Sequence, residues 1–137
     1  MAKTSIACIA LDGNKILVAH RNPVGQMGGR WEFPGGKVEQ GESDSDAIVR
    51  EFREEFGVNV TVGSAIAFSE FEHNGQTVLL HAYQIYVPHN GMETKYVLTE
   101  HTEYAWIDVR DIPQLNFVDS DLKIYDQVKD FALRNFQ

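Results

Sequence analysis

An α/β architecture, a sheet with a helix on each face, follows from three features of this 137-residue chain. Apolar, strand-forming runs recur along it. Gly- and Asn-containing turns join several of them. Two amphipathic segments of helical period, one central and one C-terminal, are interspersed among these runs. Strands alternating with helices in this way bury both faces of their sheet. The length fits one domain over residues 1–137, large enough to bury a core.

The elements read in order. Residues 5–11 are apolar and rich in strand formers, Asp12-Gly13-Asn14 is a turn signal, and residues 15–19 resume a strand, which makes a hairpin. Residues 22–30 contain Gly and Pro and read as a loop. Trp31-Glu32-Phe33-Pro34 is a short extended piece, because Pro34 biases Phe33 away from helix. Ser43 then N-caps a helix with an acidic first turn, and Ser43 with Asp46 fits the capping-box pattern. Gly57 closes that helix as the residue after its end. Ile48, Phe52 and Phe56 recur every four residues and form its core stripe. At about 100° per residue, Glu51, Glu54 and Glu55 share an arc of roughly 100° beside the stripe. Residues 58–72 and 76–87 read as two longer strands joined through His73-Asn74-Gly75, where Asn-Gly is a strong hairpin signal. Residues 104–108 are a short strand. Residues 119–136 read as one final helix, with Leu122, Tyr125, Val128, Ala132 and Phe136 on one side.

Composition excludes several functions. A net charge of −8 disfavours binding to polymeric nucleic acid, which needs a basic surface, but leaves room for a small phosphorylated substrate neutralised by a metal. No apolar run approaches membrane-spanning length, and no N-terminal leader pattern is present, so no membrane association is expected. Cys8 is the one cysteine, so no disulfide can form within the chain and a cytoplasmic setting is expected; it lies in an apolar strand-like run and reads as an inert core thiol. His20, His73, His81, His89 and His101 form no transition-metal spacing; His73 and His89 read as loop surface, and His81 as a residue that faces the substrate or simply a strand position. Trp106 reads as core rather than a stacking platform.

The densest chemistry lies in residues 36–58. Gly36-Lys37-Val38-Glu39-Gln40-Gly41-Glu42 is followed seven residues later by Arg50-Glu51-Phe52-Arg53-Glu54-Glu55-Phe56-Gly57-Val58. Crowding Glu42, Glu51, Glu54 and Glu55 into so small a region costs electrostatic energy. A hard divalent cation is the simplest compensation, since it takes oxygen ligands and bridges carboxylates to phosphates. Three glutamates alone would read first as a solvated acidic face; the full spacing and the Gly35-Gly36 turn favour the metal.

That spacing resembles the Nudix box at each of its fixed positions: G, five residues, E, seven residues, R-E, an apolar residue, one residue, E-E, one residue, G, an apolar residue. Trp31-Glu32-Phe33-Pro34-Gly35-Gly36-Lys37 is similar to the run before the box in MutT-type members. Residues 16–21, and the strand at 103–106 followed by 108–112, resemble that subgroup too. The resemblance implies the Nudix α/β/α sandwich with a mixed sheet, and a loop–helix–loop that binds metal and pyrophosphate. It implies Mg²⁺ as cofactor, with Mn²⁺ as a substitute, and a hydrolase of phosphoanhydride bonds. Glu51, Glu54, Glu55 and the Gly35 carbonyl are the implied metal ligands, joined by a glutamate outside the box, for which Glu100 is preferred to Glu103. Glu51 or Glu54 is the implied base. Glu42 supports the set through a hydrogen bond or a salt bridge, with Arg50 as its candidate partner; Arg50 also stands four residues before Glu54.

Substrate contacts are expected from Gly36 and Lys37 at the box and from Arg21, whose guanidinium suits a phosphate, although a solvated strand end would look the same. Phe33 walls a base pocket or belongs to the core. MutT-type members read the base edge with an Asn where this chain has Asp121, with Asp119 beside it. An ionised Asp accepts hydrogen bonds but donates none, which weakens an oxidised-guanine preference. Helix N-capping is the plainer reading of both aspartates.

The function expected is Mg²⁺-dependent hydrolysis of a nucleoside triphosphate, an oxidised or surplus deoxynucleotide or CTP, to monophosphate and pyrophosphate. The alternatives are a dinucleoside polyphosphate, nucleotide sugar or RNA end as substrate. The marker residues expected for several such subgroups are missing from His73-Asn74-Gly75-Gln76 and its surroundings. A noncatalytic nucleotide-sensing module is the alternative of another class; it would tend to lose a box glutamate, and all four are present. A monomer or a homodimer is expected.

Overall fold

The computed structural model describes residues 3–21, 29–88 and 101–136. Strands β1 (Lys3–Asp12) and β2 (Lys15–Arg21) are followed by the short β3 (Trp31–Glu32) and β4 (Gly35–Lys37), helix α1 (Asp44–Phe56), the long hairpin β5 (Thr61–His73) and β6 (Gln76–Tyr86), and β7 (His101–Asp108). A 3-10 turn (Val109–Gln114) leads into α2 (Asp119–Leu122) and α3 (Tyr125–Phe136).

Among the described residues the sheet runs β3-β2-β1-β6-β5, with β4 pairing β1 and β7 pairing β2. It is mixed, because β1 and β6 are parallel while the other pairs are antiparallel. The strands at its centre read as unbroken apolar runs because both faces are covered. Alternation then sorts the residues. Ile6, Cys8, Ala10, Leu17 and Ala19 face α1 together with Ile48, Phe52 and Phe56. Ala7, Ile9, Ile16 and Val18 face α3 together with Val128 and Ala132. This is the α/β/α sandwich with a mixed sheet that the sequence implied. Cys8 is fully buried, and burial, followed by the charges of Glu55 and Glu51, pushes its thiol well above the ordinary range.

Local signals set α1. The Ser43 hydroxyl accepts the Asp46 N–H at 3.1 Å, and Gly57 takes φ 73° beyond the last turn. The β5–β6 hairpin turns through Asn74 (φ 52°) and Gly75 (φ 75°), as a type I′ turn requires.

The C-terminal segment differs from expectation. It is not one helix over 119–136: it breaks at Lys123 and Ile124 into α2 and α3. Tyr125, Val128 and Ala132 pack inward as expected, but Leu122 is exposed and Ile124 takes the buried place. The side chain of Phe136 lies outside the described residues. β7 also begins earlier than residue 104, at His101, since its ladder with β2 extends to the Arg21–His101 pair. Among the described residues no helix is long and apolar enough to cross a membrane.

Candidate active site

The loop before α1 is shaped by two glycines that cannot carry a side chain. A Cβ at Gly35 would collide with the Ile6 carbonyl oxygen, because β4 lies directly on β1. A Cβ at Gly36 would stand 2.5 Å from the carboxyl carbon of Glu51 and 2.6 and 2.7 Å from its oxygens. The Glu51 carboxylate therefore fills the space a side chain at Gly36 would take. The ladder bonds from Cys8 N–H to Pro34 O (2.7 Å) and from Val38 N–H to Thr4 O (2.9 Å) fix which loop carbonyls face β1. The Lys37 carbonyl is not among them; it accepts Arg50 Nη2 at 3.1 Å on the α1 side.

Arg50 organises the acidic residues. Its Nε and Nη2 donate to the two oxygens of Glu42 at 2.6 and 2.9 Å, a bidentate pair. Its Nη1 donates to Glu51 at 2.9 Å and to Glu54 at 3.4 Å, and Glu39 stands 3.7 Å away. The guanidinium pulls the Glu42 carboxyl down to about 2 and is itself held more firmly protonated. Glu51 is raised instead, because desolvation outweighs the opposing hydrogen bond and charge of Arg50.

The three helix glutamates do not share one environment. Glu54 is exposed, Glu51 is half-buried, and Glu55 is turned inward with 6% exposure, close enough to hydrogen-bond Glu51. Among the described residues, no three His, Cys, Asp or Glu side chains come together as a group that could hold a metal by themselves. The donors nevertheless fit a hard cation in kind. They are carboxylate and carbonyl oxygens, and the Gly36 cradle brings the Glu51 carboxylate directly against the loop backbone. Glu100 lies outside the described residues, as does His89. Glu103 is exposed on β7 opposite His20, and Lys37 is exposed.

A second polar cluster gathers beside β3. Arg21 Nη1 donates to Glu32 Oε1 at 3.0 Å, with the Arg21 side chain still 43% exposed. His101 Nε2 meets the other oxygen, Glu32 Oε2, at 2.7 Å. Asp121 is buried, and its Oδ2 accepts the Phe33 N–H at 2.9 Å. Burial, and then the charge of Glu32, push the Asp121 carboxyl up to about 7, against the pull of the Phe33 bond and of Arg21.

Of the readings open for Asp119 and Asp121, helix capping is not found: Val118 occupies the N-cap of α2 and no side chain caps it. Asp119 pairs with Arg30 at 3.2 Å, and Asp121 instead extends a bonding line along β3. Trp31 N–H donates to Asn116 O and Val118 N–H to Trp31 O, both at 2.9 Å, and the Asp121 carboxyl takes the next donor, Phe33 N–H. The Phe33 ring is core, 2% exposed and edge-on to Phe117 at 5.0 Å, so of its two readings the structure selects packing. His73 is exposed; His81 Nδ1 lies 2.8 Å from Asp44 Oδ2, which also accepts the Tyr83 hydroxyl at 2.6 Å. Trp106 packs on the core between the sheet and α1.

Sequence reasoning assigned no role to Glu32 or His101. Glu32 was visible only as one letter of the run before the glycines, and His101 as one of five scattered histidines. Their contact spans 69 residues and depends on β3 and β7 both flanking β2.

Comparison with known proteins places this geometry. The family model described as the NUDIX domain matches residues 1–128. The chain is 36% identical over 124 residues to a CTP pyrophosphohydrolase of Escherichia coli K12, covering 90% of this chain and 88% of that protein. It is 33% identical over 76 residues to an 8-oxo-dGTP diphosphatase of the same organism, covering 56% and 59% of the two chains. The solution structure of the E. coli ORF135 protein superposes with a TM-score of 0.80 at 33% identity, covering 97% of this chain and 91% of that one.

Proposed function

The chain belongs to the NUDIX family, as a hydrolase of nucleotide pyrophosphate bonds, and from that premise we propose that it hydrolyses a cytidine triphosphate, CTP or dCTP, to the monophosphate and pyrophosphate with Mg²⁺ as cofactor. Glu51, Glu54, Glu55 and the Gly35 carbonyl would hold the ion, which when bound would supply charge neutralisation and a more acidic water. Glu51 or Glu54 is the base proposed to accept a proton from the attacking water. Glu42 and Arg50 keep the first turns of this set rigid through their bidentate pair, so the glutamates need little reorganisation when the substrate arrives. Arg21, with half of its fork beyond the Glu32 contact, takes a phosphate oxygen.

The observation that favours a base with an exocyclic amino group is the Asp121 carboxyl, buried and raised to about 7. As a carboxylate it accepts from an exocyclic amino group, the donor that distinguishes cytosine from uracil. Retaining its proton, it also donates, and so serves the N3 acceptor beside that amino group. Adenine presents the same amino group beside a ring acceptor, so cytosine is chosen over adenine on the match to a relative named for CTP hydrolysis. An 8-oxoguanine nucleotide is the second reading: its N7–H gives a carboxylate a donor that guanine lacks, and a relative named for that substrate covers part of the chain.

The test is a panel of CTP, dCTP, UTP, ATP, GTP and 8-oxo-dGTP with Mg²⁺, measuring pyrophosphate and orthophosphate separately. Highest kcat/KM on a cytidine triphosphate with pyrophosphate as product supports the proposal. A preference for 8-oxo-dGTP moves it to the second reading, and turnover of diphosphate-linked conjugates alone refutes both.

A further inference from the structure

His101 takes no part in the mechanism above, yet it is buried at 7% exposure with its ring stacked on Phe56 of α1, centroids 5.6 Å apart. Its Nδ1 is buried and has no hydrogen-bond partner among the described residues. A leucine would fill this place without an orphaned polar atom, so packing alone gives no reason for an imidazole here. The other ring nitrogen supplies one. An ionised carboxylate only accepts, so the short contact with Glu32 Oε2 places the ring proton on Nε2.

The Glu32 carboxylate thus has one donor on each oxygen, from two strands that flank β2 or belong to it: Arg21 Nη1 on Oε1 and His101 Nε2 on Oε2. An arginine facing a free carboxylate closes on both oxygens in a fork-to-fork pair. Here His101 occupies the second oxygen, and among the described residues Arg21 makes one side-chain bond, with its side chain 43% exposed. We propose that His101 is a positioning residue that blocks bidentate capture of Arg21 by Glu32 and so keeps the Arg21 fork presented to the substrate's phosphates.

The proposal rests on the reading of Arg21 as a phosphate contact. The experiment compares KM and kcat for CTP with Mg²⁺ and the dissociation constant of α,β-methylene-CTP, a non-hydrolysable probe. Arg21→Gln tests the underlying reading and is expected to raise both KM and the dissociation constant about tenfold, the loss of roughly one charge-assisted hydrogen bond. His101→Leu is expected to do the same with kcat changed less than about twofold, since Arg21 then folds onto Glu32. His101→Gln carries a donor at the Nε2 position and retains wild-type KM, whereas His101→Asn, too short to reach Oε2, behaves like Leu. This Gln/Asn pair keeps the test valid should Leu fail to fold. Because His101 acts through Glu32, His101→Leu combined with Glu32→Gln is expected to be clearly milder than the product of the two single effects. If Arg21→Gln leaves binding unchanged, the phosphate reading fails and this proposal with it. If Arg21→Gln weakens binding while His101→Leu and His101→Asn do not, or if Gln and Asn behave alike, the positioning role alone is overturned.

Discussion

Replacing Asp121 with Asn is expected to make this protein more stable, and only above a defined pH. In the fold, Asp121 is buried and its carboxyl rises from 3.8 to about 7. The sign follows from proton binding. The folded state holds the proton more tightly than the unfolded chain, so stability favoured by the neutral acid is complete below pH 4 and is lost as pH rises to about 7. At 1.36 kcal/mol for each tenfold change in proton affinity, that interval corresponds to about 4 kcal/mol, an upper bound because buried sites relax. Asn keeps an acceptor for the Phe33 N–H and carries no charge, so it avoids the loss. Urea unfolding of both proteins at pH steps from 4 to 8.5 is the assay, and the difference between the two curves cancels groups that titrate alike in both. The variant is expected to gain steadily between pH 4 and 7 and to level off at up to about 4 kcal/mol, on the order of 10 °C in Tm. A difference that stays constant across that range would refute the buried, proton-holding carboxyl. Under the proposed base contact, Asn's one amide oxygen stays with the Phe33 N–H, no acceptor remains for an amino group, and preference is expected to shift away from cytidine.

The acidic helix yields three further expectations. Gly36→Ala would drive a methyl into the Glu51 carboxylate, and kcat should fall at least tenfold while overpacking costs about 1–3 kcal/mol; wild-type turnover would show that this close approach is unimportant. Glu54→Gln is nearly isosteric and exposed, so kcat should drop by about two orders of magnitude or more with Tm unchanged, and near-full activity would remove Glu54 from the proposed machinery. Arg50→Lys cannot reproduce the two bonds to Glu42 and should lose about 1–3 kcal/mol of stability together with kcat, measured by denaturation and turnover in parallel. Equal stability in that variant would mean the bidentate pair contributes little.

What the sequence made legible follows the range of the interactions involved. Helix α1 was readable nearly to the residue, because Ser43, Gly57 and the Ile48–Phe52–Phe56 stripe act within a few positions of one another. The two hairpins were readable for the same reason, through Gly13 and Asn74-Gly75. The break between α2 and α3 was not, since no Gly or Pro marks Lys123 and Ile124. Capping was one of two readings open for Asp121, because an aspartate near a helix start commonly caps; its partner in the fold, the Phe33 N–H, lies 88 residues away. The Glu32–His101 contact is equally nonlocal. Helical periodicity put Glu51, Glu54 and Glu55 in one arc but could not say that Glu55 turns into the core while Glu54 faces solvent, because that depends on how α1 seats against β1. The spacing of the glycines and glutamates carried the family, and the fold carried by that family is the one found.

The proposal that the Gly35–Gly36 bend and its glutamates gather a divalent ion onto a polyphosphate is tested most directly by ³¹P NMR of CTP turnover as Mg²⁺ is titrated in and then withdrawn with a chelator. The expected result is CMP and pyrophosphate appearing together, only while the ion is present. Release of CDP with orthophosphate, or an unchanged rate after chelation, would contradict it.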